Sequence, residues 1–268
     1  MADFYLLGNS APTQMLGCVI QTETKTIVID GGTPQDGEQL SSLLRDRASS
    51  HVNAWFFTHP HHDHIGAFCS IRKQEPRITV NGIYCHFPPF SALQLCKPRS
   101  PQEPLLWADI EEWKDTYAFH NVLAGECFTF DDVTVQVLRV FNPAIQNNFI
   151  NNSSAVFRIA SQRQSILILG DLGEEGGRDL MTVCPRELLQ TDYTQMAHHG
   201  QRGVSQEFYE YIRPKRCLWP TPEWLWENDA GGGFDTGPWQ TVRTREWMEK
   251  LGVTAHFAEK DGTQTFTF

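Results

Sequence analysis

Short runs of apolar and β-branched residues alternate along the chain with stretches of helical periodicity. In the first half, this pattern predicts strands at 17–20, 26–29 and 52–57 and helices at 38–48 and about 65–73. The second strand ends at Asp30-Gly31-Gly32. The third ends immediately before a cluster of histidines, so we expect that cluster to follow a strand end.

The second half of the chain repeats this alternation. Apolar runs, several with a period of two, predict strands at 128–130, 133–140, 155–159, 165–169, 193–197, 216–219 and 263–268. Helices are predicted at about 179–190, 205–213 and 238–251. Two successive halves of strands, each closed by helices, indicate a layered α/β fold without a hinge.

A segment of different composition separates the two halves. Residues 88–104 contain five of the fifteen prolines, and 105–122 has helical character. We interpret 86–125 as a proline-rich and helical insertion within one domain that spans 1–268.

Composition and charge narrow the classes of function. The 268 residues are 40% hydrophobic, and 22 Lys+Arg against 32 Asp+Glu give a net charge of −10. This composition is typical of globular proteins. The acidity argues against long nucleic acid as a partner, because nucleic acid is normally bound by a basic surface.

Compartment is predicted from what the sequence lacks. No apolar run approaches the roughly 18 to 20 residues needed to cross a bilayer, and the first residues have no basic segment leading into an apolar one. The seven cysteines are an odd number without a CxxC pair, which favours reduced thiols. We therefore expect a cytoplasmic protein without a membrane partner; the sequence does not predict its oligomeric state.

The strongest chemical signal is the segment 58–64, with the sequence THPHHDH. Four potential metal ligands lie within six residues at a strand end, a density that a solvated polar loop does not require. His59 and His61 are two apart on a turn, so both can face one metal ion, while Asp63 and His64 can face a second. His62 lies between ligands and is expected to point away.

Two later segments offer further ligands at strand ends. Asp171 follows the apolar run 166–169 and Gly170, where a carboxylate could bridge two cations; taken alone, it could equally be a helix N-cap or a turn residue. His198 and His199 follow the strand predicted at 193–197 and precede Gly200. We expect at least one of them to bind metal. Alternation along a strand would let only one face the site comfortably, and the sequence does not decide which.

These motifs together resemble a known family. The pattern His59-x-His61-x-Asp63-His64, with DGG at 30–32 before it and GD at 170–171 and HHG at 198–200 after it, resembles the metallo-β-lactamase superfamily of dinuclear metal hydrolases. The order of FNP at 141–143, NNSSAVF at 151–157, LGD at 169–171 and HHG at 198–200 is most similar to the hydrolase domain of ComEC-type DNA-uptake proteins and its soluble relatives.

The resemblance implies a fold and an arrangement of ligands. The fold is a four-layer αββα sandwich with mixed sheets, with two divalent cations, Zn²⁺ or Mn²⁺, between the sheet ends. His59 and His61 would hold the first cation and Asp63 and His64 the second. Asp171 would bridge the two, and Asp30 would be a supporting carboxylate.

One departure from the family pattern concerns the middle of the chain. Many members place a third histidine ligand there, whereas this chain has Asn151, Asn152, Ser153 and Ser154. An amide is a weaker ligand than imidazole, which predicts a first cation that is held less tightly or is Mn²⁺, which favours oxygen ligands. Asn151, Asn152 and Ser154 could instead position substrate, or the segment could be a polar turn before the strand at 155–159.

The resemblance implies a metal-dependent hydrolase that uses a metal-bridging hydroxide, oriented by Asp63, on a phosphodiester or related small ester. Hydrolysis of a lactone, thioester or β-lactam and a non-catalytic metal-binding module are the alternatives. We expect a small molecule or a short phosphodiester as substrate.

Trp224 and Trp226 precede a glycine-rich loop at 231–233 and could form an aromatic lid, or they could pack the outer layer.

Overall fold

Two mixed β-sheets make up the centre of the fold. The computed structural model describes residues 1–93 and 103–268. The strands are β1 (Asp3–Leu6), β2 (Gly17–Gln21), β3 (Thr26–Asp30), β4 (His51–Val52), β5 (Ala54–Phe56), β6 (Thr79–Val80), β7 (Gly82–Cys85), β8 (Ala118–Asn121), β9 (Cys127–Phe130), β10 (Val133–Arg139), β11 (Val156–Ala160), β12 (Ser165–Ile168), β13 (Tyr193–Gln195), β14 (Arg216–Trp219), β15 (Ala255–Ala258) and β16 (Gln264–Thr267).

Helices connect these strands and cover the outer faces of the sheets. They are α1 (Gly37–Asp46), α2 (His62–Gln74), α3 (Phe90–Leu93), α4 (Glu103–Thr116), α5 (Phe149–Asn152), α6 (Glu174–Val183), α7 (Arg186–Leu189), α8 (Gln206–Ile212), α9 (Glu223–Trp226) and α10 (Thr241–Lys250). Among the helices of the described ranges, none is long and apolar enough to cross a membrane.

The two large sheets have matching topology. The first has the order β16-β1-β2-β3-β5-β7-β8 and the second the order β15-β14-β13-β12-β11-β10-β9. In each sheet, antiparallel pairs on one side give way to parallel pairs on the other, namely β3-β5-β7-β8 and β12-β13-β14-β15. The carboxyl ends of these parallel strands carry the loops in which the predicted ligands occur.

Strand alternation divides the apolar residues among three buried layers. In β12, Ile166 and Ile168 point into the core between the two sheets, whereas Leu167 points into the core under the helices of the second sheet. In β3, Val28 faces the helices of the first sheet, and its neighbours Ile27 and Ile29 face the other sheet. Because both faces of these strands are buried, their central residues 27–29 and 166–168 are apolar at every position. The layers are helix, sheet, sheet and helix, which confirms the predicted αββα sandwich.

The segment 86–125 differs from its prediction. The helix predicted over 105–122 ends earlier: α4 stops at Thr116, and β8 follows as the edge strand of the first sheet, parallel to β7. Trp113 of α4 is fully buried against Phe57 and Phe68, so this part of the segment contributes to the core. The proline-rich stretch predicted at 88–104 lies partly outside the described residues.

Six of the seven cysteines lie in the described ranges, and all six are free thiols. Five of these are buried, and only Cys127 is exposed. The seventh, Cys96, lies outside the described residues.

Candidate metal centre

Strand ends from both sheets meet at one edge of the sandwich. In the first sheet, β3 ends at Asp30, and β5 continues through Phe57 and Thr58 to His59. In the second, β12 leads through Gly170 into Asp171. The Ala155 amide donates to the Thr58 carbonyl across the sheets at 2.8 Å. Residues that are more than a hundred positions apart in sequence therefore share one site.

The histidine motif forms the entry to α2. His61 is the N-cap residue, with an extended backbone (φ −83°, ψ 154°), and the next residue begins the helix. Asp63 and His64 are buried in the first turn, where the helix dipole favours the Asp63 carboxylate. The side chain of His62 is 46% exposed.

One group of side chains that could hold a metal ion consists of His59, His61 and Asp171, whose ligand atoms all lie within 4.8 Å of one another. His59 Nε2 is 2.9 Å from His61 Nδ1 and 3.6 Å from Asp171 Oδ2. His59 and Asp171 are buried, whereas His61 is partly exposed. This first group therefore lies at the solvent-facing side of the centre.

A second group consists of Asp63, His64, Asp171 and His199, all buried. Asp171 Oδ1 is 3.2 Å from His64 Nε2 and 3.5 Å from His199 Nε2. His199 Nε2 is 3.4 Å from Asp63 Oδ2. Asp171 thus belongs to both groups, with one carboxylate oxygen toward each.

Unpaired polar atoms show that these residues fit divalent cations. Among the described residues, the buried atoms without a hydrogen-bond partner include His64 Nε2, His199 Nε2 and Asp171 Oδ1. Leaving such an atom unpaired in the interior costs about 1–3 kcal/mol. A cation held by the second group would satisfy all three atoms, and mixed imidazole and carboxylate donors suit Zn²⁺ or Mn²⁺.

Hydrogen bonds from outside the two groups orient the imidazoles. Asp30 Oδ2 accepts from His64 Nδ1 at 2.8 Å, and the same carboxylate accepts from the amide and hydroxyl of Thr58. His199 Nδ1 lies 2.8 Å from the Pro220 carbonyl. A carbonyl only accepts, so Nδ1 of His199 keeps its proton in every state, and Nε2 is the nitrogen that faces the site and can bind metal once it is deprotonated.

The carboxylates and imidazoles shift one another's pKa values. Burial disfavours the charged forms of Asp63 and Asp171, yet the neighbouring imidazoles outweigh burial and hold the pKa of both carboxyls below its ordinary range. Burial likewise opposes protonation of His199, but Asp171 and Asp63 raise its pKa to about 10. Asp171 and Asp30 raise the pKa of His64 above its usual value in the same way.

These shifts predict that metal binding releases protons. A raised pKa keeps His64 and His199 protonated at neutral pH in the metal-free protein, and a ligating imidazole must lose that proton. We expect up to about two protons to be released per second-group cation. The affinity of the second group for its cation should rise about tenfold per pH unit for each proton that binding releases. Calorimetric titration with Zn²⁺ in buffers of different ionisation enthalpy measures the release.

Burial lowers the pKa of His59 and brings that of His61 to about 4, so the first group provides an internal control. These imidazoles are neutral at pH 7 and have no proton to release. If the affinity for cations at both groups were independent of pH between 6 and 8, the prediction would be contradicted.

The polar segment in the middle of the chain forms α5 and the turn after it. Asn152 Oδ1 accepts from the amides of Gly173 and Gly176, and Ser154 Oγ accepts from the Asp171 amide. These two side chains support the backbone around Asp171. Asn151 differs: its Nδ2 is 3.3 Å from His198 Nε2, and its Oδ1 is buried without a partner among the described residues.

The histidine pair does not end a strand as predicted, so strand alternation does not govern it; His199 belongs to the second group and His198 to neither group. β13 ends at Gln195, and Ala197–Gly200 form a 3₁₀ turn in which His198 (φ 53°, ψ 48°) and His199 (φ 57°, ψ 25°) are both left-handed. Gly200 has φ +78°, and a Cβ there would lie 2.5 Å from the Trp219 ring. The turn therefore requires glycine at position 200 and brings both imidazoles within 4 Å of the Asp171 carboxylate.

The two tryptophans before the glycine-rich loop face different surroundings. The Trp224 indole donates to the Pro12 carbonyl and lies against Trp239. Trp226 packs edge-on to Trp219, beneath the Arg245 guanidinium at 4.2 Å. Only Trp224 is thus beside the loop that joins β1 to β2, whereas Trp226 packs in the outer layer.

Arg139 supports the site without having been predicted to do so. It is 2% exposed, its Nε donates to Asp179 at 2.7 Å, and its Nη1 donates to the carbonyls of Asn152 and Ser154. The signal in the sequence is a charged residue at the end of the apolar strand β10. A register shift between Val137 and Arg139 places it opposite Val156, on the helix-covered face of the second sheet. Its partners could not be identified that way, because Asp179 lies forty residues away in α6.

Comparison with known proteins finds similar sequences. Residues 18–76 match the family described as the metallo-beta-lactamase superfamily. ComE operon protein 3 of Bacillus subtilis (strain 168) is 26% identical over 182 residues, which are 67% of this chain and 21% of that protein. The chain thus spans about a fifth of the length of this curated relative.

Solved structures share the fold over the whole chain. The metallo-beta-lactamase fold protein YhfI from Bacillus subtilis aligns over 99% of both chains, with a TM-score of 0.59 and 13% identity. A diphosphatase of the PhnP family aligns over 99% of this chain and 98% of its own, with a TM-score of 0.52 and 15% identity. CmlA, a diiron beta-hydroxylase from Streptomyces venezuelae, aligns over 100% of this chain and 54% of its own, with a TM-score of 0.57 and 11% identity.

At these identities the structural likeness shows the fold alone. The resemblance to the metallo-β-lactamase superfamily and to ComEC-type proteins, and the αββα fold that it implies, are confirmed.

Proposed function

We propose that this protein is a metal-dependent hydrolase with two divalent cations, Zn²⁺ or Mn²⁺, held by the two groups of the candidate metal centre. The observation that carries the proposal is Asp171, which directs one oxygen toward each group. Two bound cations lower the pKa of a water molecule toward neutrality and stabilise negative charge on substrate oxygens.

The residues of this chain have separate roles in that reaction. His59 and His61 would hold one cation, and His64 and His199 would hold the other together with Asp63. Asp63 stays ionised because its pKa is lowered, so its carboxylate can accept a hydrogen bond from the attacking water and orient it. Asp30 and Thr58 keep His64 in the tautomer that binds metal.

A nucleophile from the protein is not needed for this chemistry. Ser154 has the hydroxyl that bonds to the Asp171 amide, but it is fully buried. This position suits support of the Asp171 backbone better than attack on a substrate.

The proposed substrate is a phosphodiester or a related small ester. A two-cation site stabilises the attacking and leaving oxygens of a phosphoryl transfer, and the similarity to ComE operon protein 3 and to a diphosphatase of the PhnP family supports this class. The net charge of −10 favours a short substrate over long nucleic acid. Bound cations would offset that charge locally, where the anion must enter.

Trp224 remains the proposed substrate contact, whereas Asn151, predicted as another, contacts His198. Trp224 and Trp239 offer an aromatic surface near the loop that joins β1 to β2.

We also propose that residues 1–268 act as one domain, because β16 pairs with β1 in the first sheet.

Metal analysis followed by substrate assays tests the proposed function. We expect about two equivalents of metal per chain, one for each group, and turnover of bis-p-nitrophenyl phosphate with Zn²⁺ or Mn²⁺. Turnover of lactones alone would favour the alternative of a lactone, thioester or β-lactam hydrolase. Bound metal without turnover on either panel would favour a non-catalytic metal-binding module.

A further inference from the structure

We propose that His198 is a ligand of the first group, so that the two consecutive histidines hold different cations. This inference rests on the proposed two-cation function. Without His198, the first group has three ligands: two imidazoles and the Asp171 carboxylate, which both groups share. The second group has four ligands: two imidazoles, the Asp63 carboxylate and the same Asp171 carboxylate.

The backbone of the turn makes this possible. In a strand, consecutive side chains point to opposite faces, but His198 and His199 are both left-handed, a conformation that is costly for residues other than glycine. The turn is held by the His198 amide, which donates to the Gly170 carbonyl, and by Thr221, whose hydroxyl donates to the His199 carbonyl. Strained backbone that is held in this way is common at functional sites.

Both imidazoles consequently approach Asp171, from different sides. His199 Nε2 is 3.5 Å from Oδ1, whereas His198 Nε2 is 3.9 Å from Oδ2. Oδ2 is also the oxygen that faces His59. His198 therefore lies on the first-group side of the shared carboxylate, and His199 on the second-group side.

The hydrogen bonds of His198 place its lone pair toward the site. Its Nδ1 is 3.1 Å from the Arg202 carbonyl, which only accepts, so Nδ1 carries the proton and Nε2 does not. Nε2 faces Asn151 Nδ2 at 3.3 Å and Asp171 Oδ2. This is the orientation of a metal-binding imidazole whose other nitrogen is anchored to the backbone.

Asn151 is the competing ligand at this position. Its Oδ1 is buried and unpaired among the described residues, but its Nδ2 makes contact with both Asn148 Oδ1 and His198 Nε2. These contacts assign the amide nitrogen, rather than the oxygen, to the His198 side. We therefore assign Asn151 to orienting His198.

Metal content and Co²⁺ absorption test the assignment independently of activity. His198→Gly removes the imidazole and suits the left-handed backbone, and His199→Gly is the matched variant for the second group. We expect His198→Gly to keep one tightly bound cation and to lose affinity for the other by at least about 100-fold, since even supporting residues contribute 10–100-fold. Its Co²⁺ complex should lose one imidazole from the solvent-facing ion, seen as a changed d–d band.

His62→Ala serves as the control, because His62 is exposed and outside both groups, and circular dichroism melts check that each variant folds. The assignment is overturned if His198→Gly binds both cations as tightly as the unaltered protein, or if Asn151→Ala weakens the first cation while His198→Gly does not. An unaltered protein that binds no divalent cation would overturn the proposed function itself, and the assignment with it.

Discussion

Replacing Asp171 by alanine is expected to remove both cations and to lower hydrolysis of a phosphodiester by about 10³-fold or more. Asp171 is 1% exposed, and its two oxygens face different groups, so no other side chain can substitute for it at either. A metal ion supplies several kcal/mol of transition-state stabilisation, and each 1.36 kcal/mol is a factor of ten in rate. Metal content of the purified variant and its kcat/KM measure the two effects.

The imidazoles left behind explain why the loss should be complete. His64 and His199 are buried, and the Asp171 carboxylate raises the pKa of both. Without that carboxylate, the second group loses both a ligand and much of its negative charge. Asp192→Ala is a matched control, because Asp192 adjoins the same sheet but pairs with Lys215 and Ser165. An Asp171→Ala protein with full metal content and normal turnover would exclude the bridging role.

Replacing Arg139 by alanine is expected to destabilise the protein by about 3 kcal/mol, because it removes a buried partner from an ion pair. This is the lower end of the range for buried pairs, since Asp179 is 19% exposed and keeps some contact with water. Asp179 would lose its 2.7 Å partner, and the carbonyls of Asn152 and Ser154 would lose a donor. Because these carbonyls lie on the turn beside Asn151, we also expect weaker binding of the first-group cation. Urea unfolding of the metal-free protein separates the two effects.

Arg139→Lys should recover only part of the stability. A lysine ammonium cannot reproduce the fixed fork that joins Asp179 to two carbonyls. Arg186→Ala is the control for loss of a surface arginine, since Arg186 contacts Tyr211 at the surface, and we expect a change within about 0.5 kcal/mol. Equal stability of Arg139→Ala and the unaltered protein would show that the turn does not depend on this ion pair.

The predicted ligands illustrate how far local pattern reaches. The motif at 59–64 and Asp171 could be found in the sequence because each follows an apolar run, and parallel strands carry their functional loops at the carboxyl ends. The structure brings those ends together. The helix at 105–122 was predicted too long because Ala118–Asn121 owes its strand conformation to pairing with β7, which local propensity does not encode.

The histidine pair shows the opposite case. Periodicity predicted a strand through 197 and hence a choice between His198 and His199. The left-handed turn at these residues depends on Gly170, Thr221 and the space beside the Trp219 ring. These contacts come from β14 and from the segments that follow β12 and β14, so no local signal in the sequence could reveal them.

By itself, the sequence determined a layered α/β fold and the candidate metal ligands, because alternation, strand-end motifs and ligand spacing are local properties of the chain. The αββα order was implied by the family resemblance that those motifs carry. Only the tertiary structure decided which atoms share a site. It set the group that each Asp171 oxygen faces, the ring nitrogen of His198 and of His199 that faces the site, and the residues that Arg139 supports. The physical reason is distance in sequence. Each of these features depends on partners that long-range packing brings within hydrogen-bond reach, and their identity is encoded in no single segment.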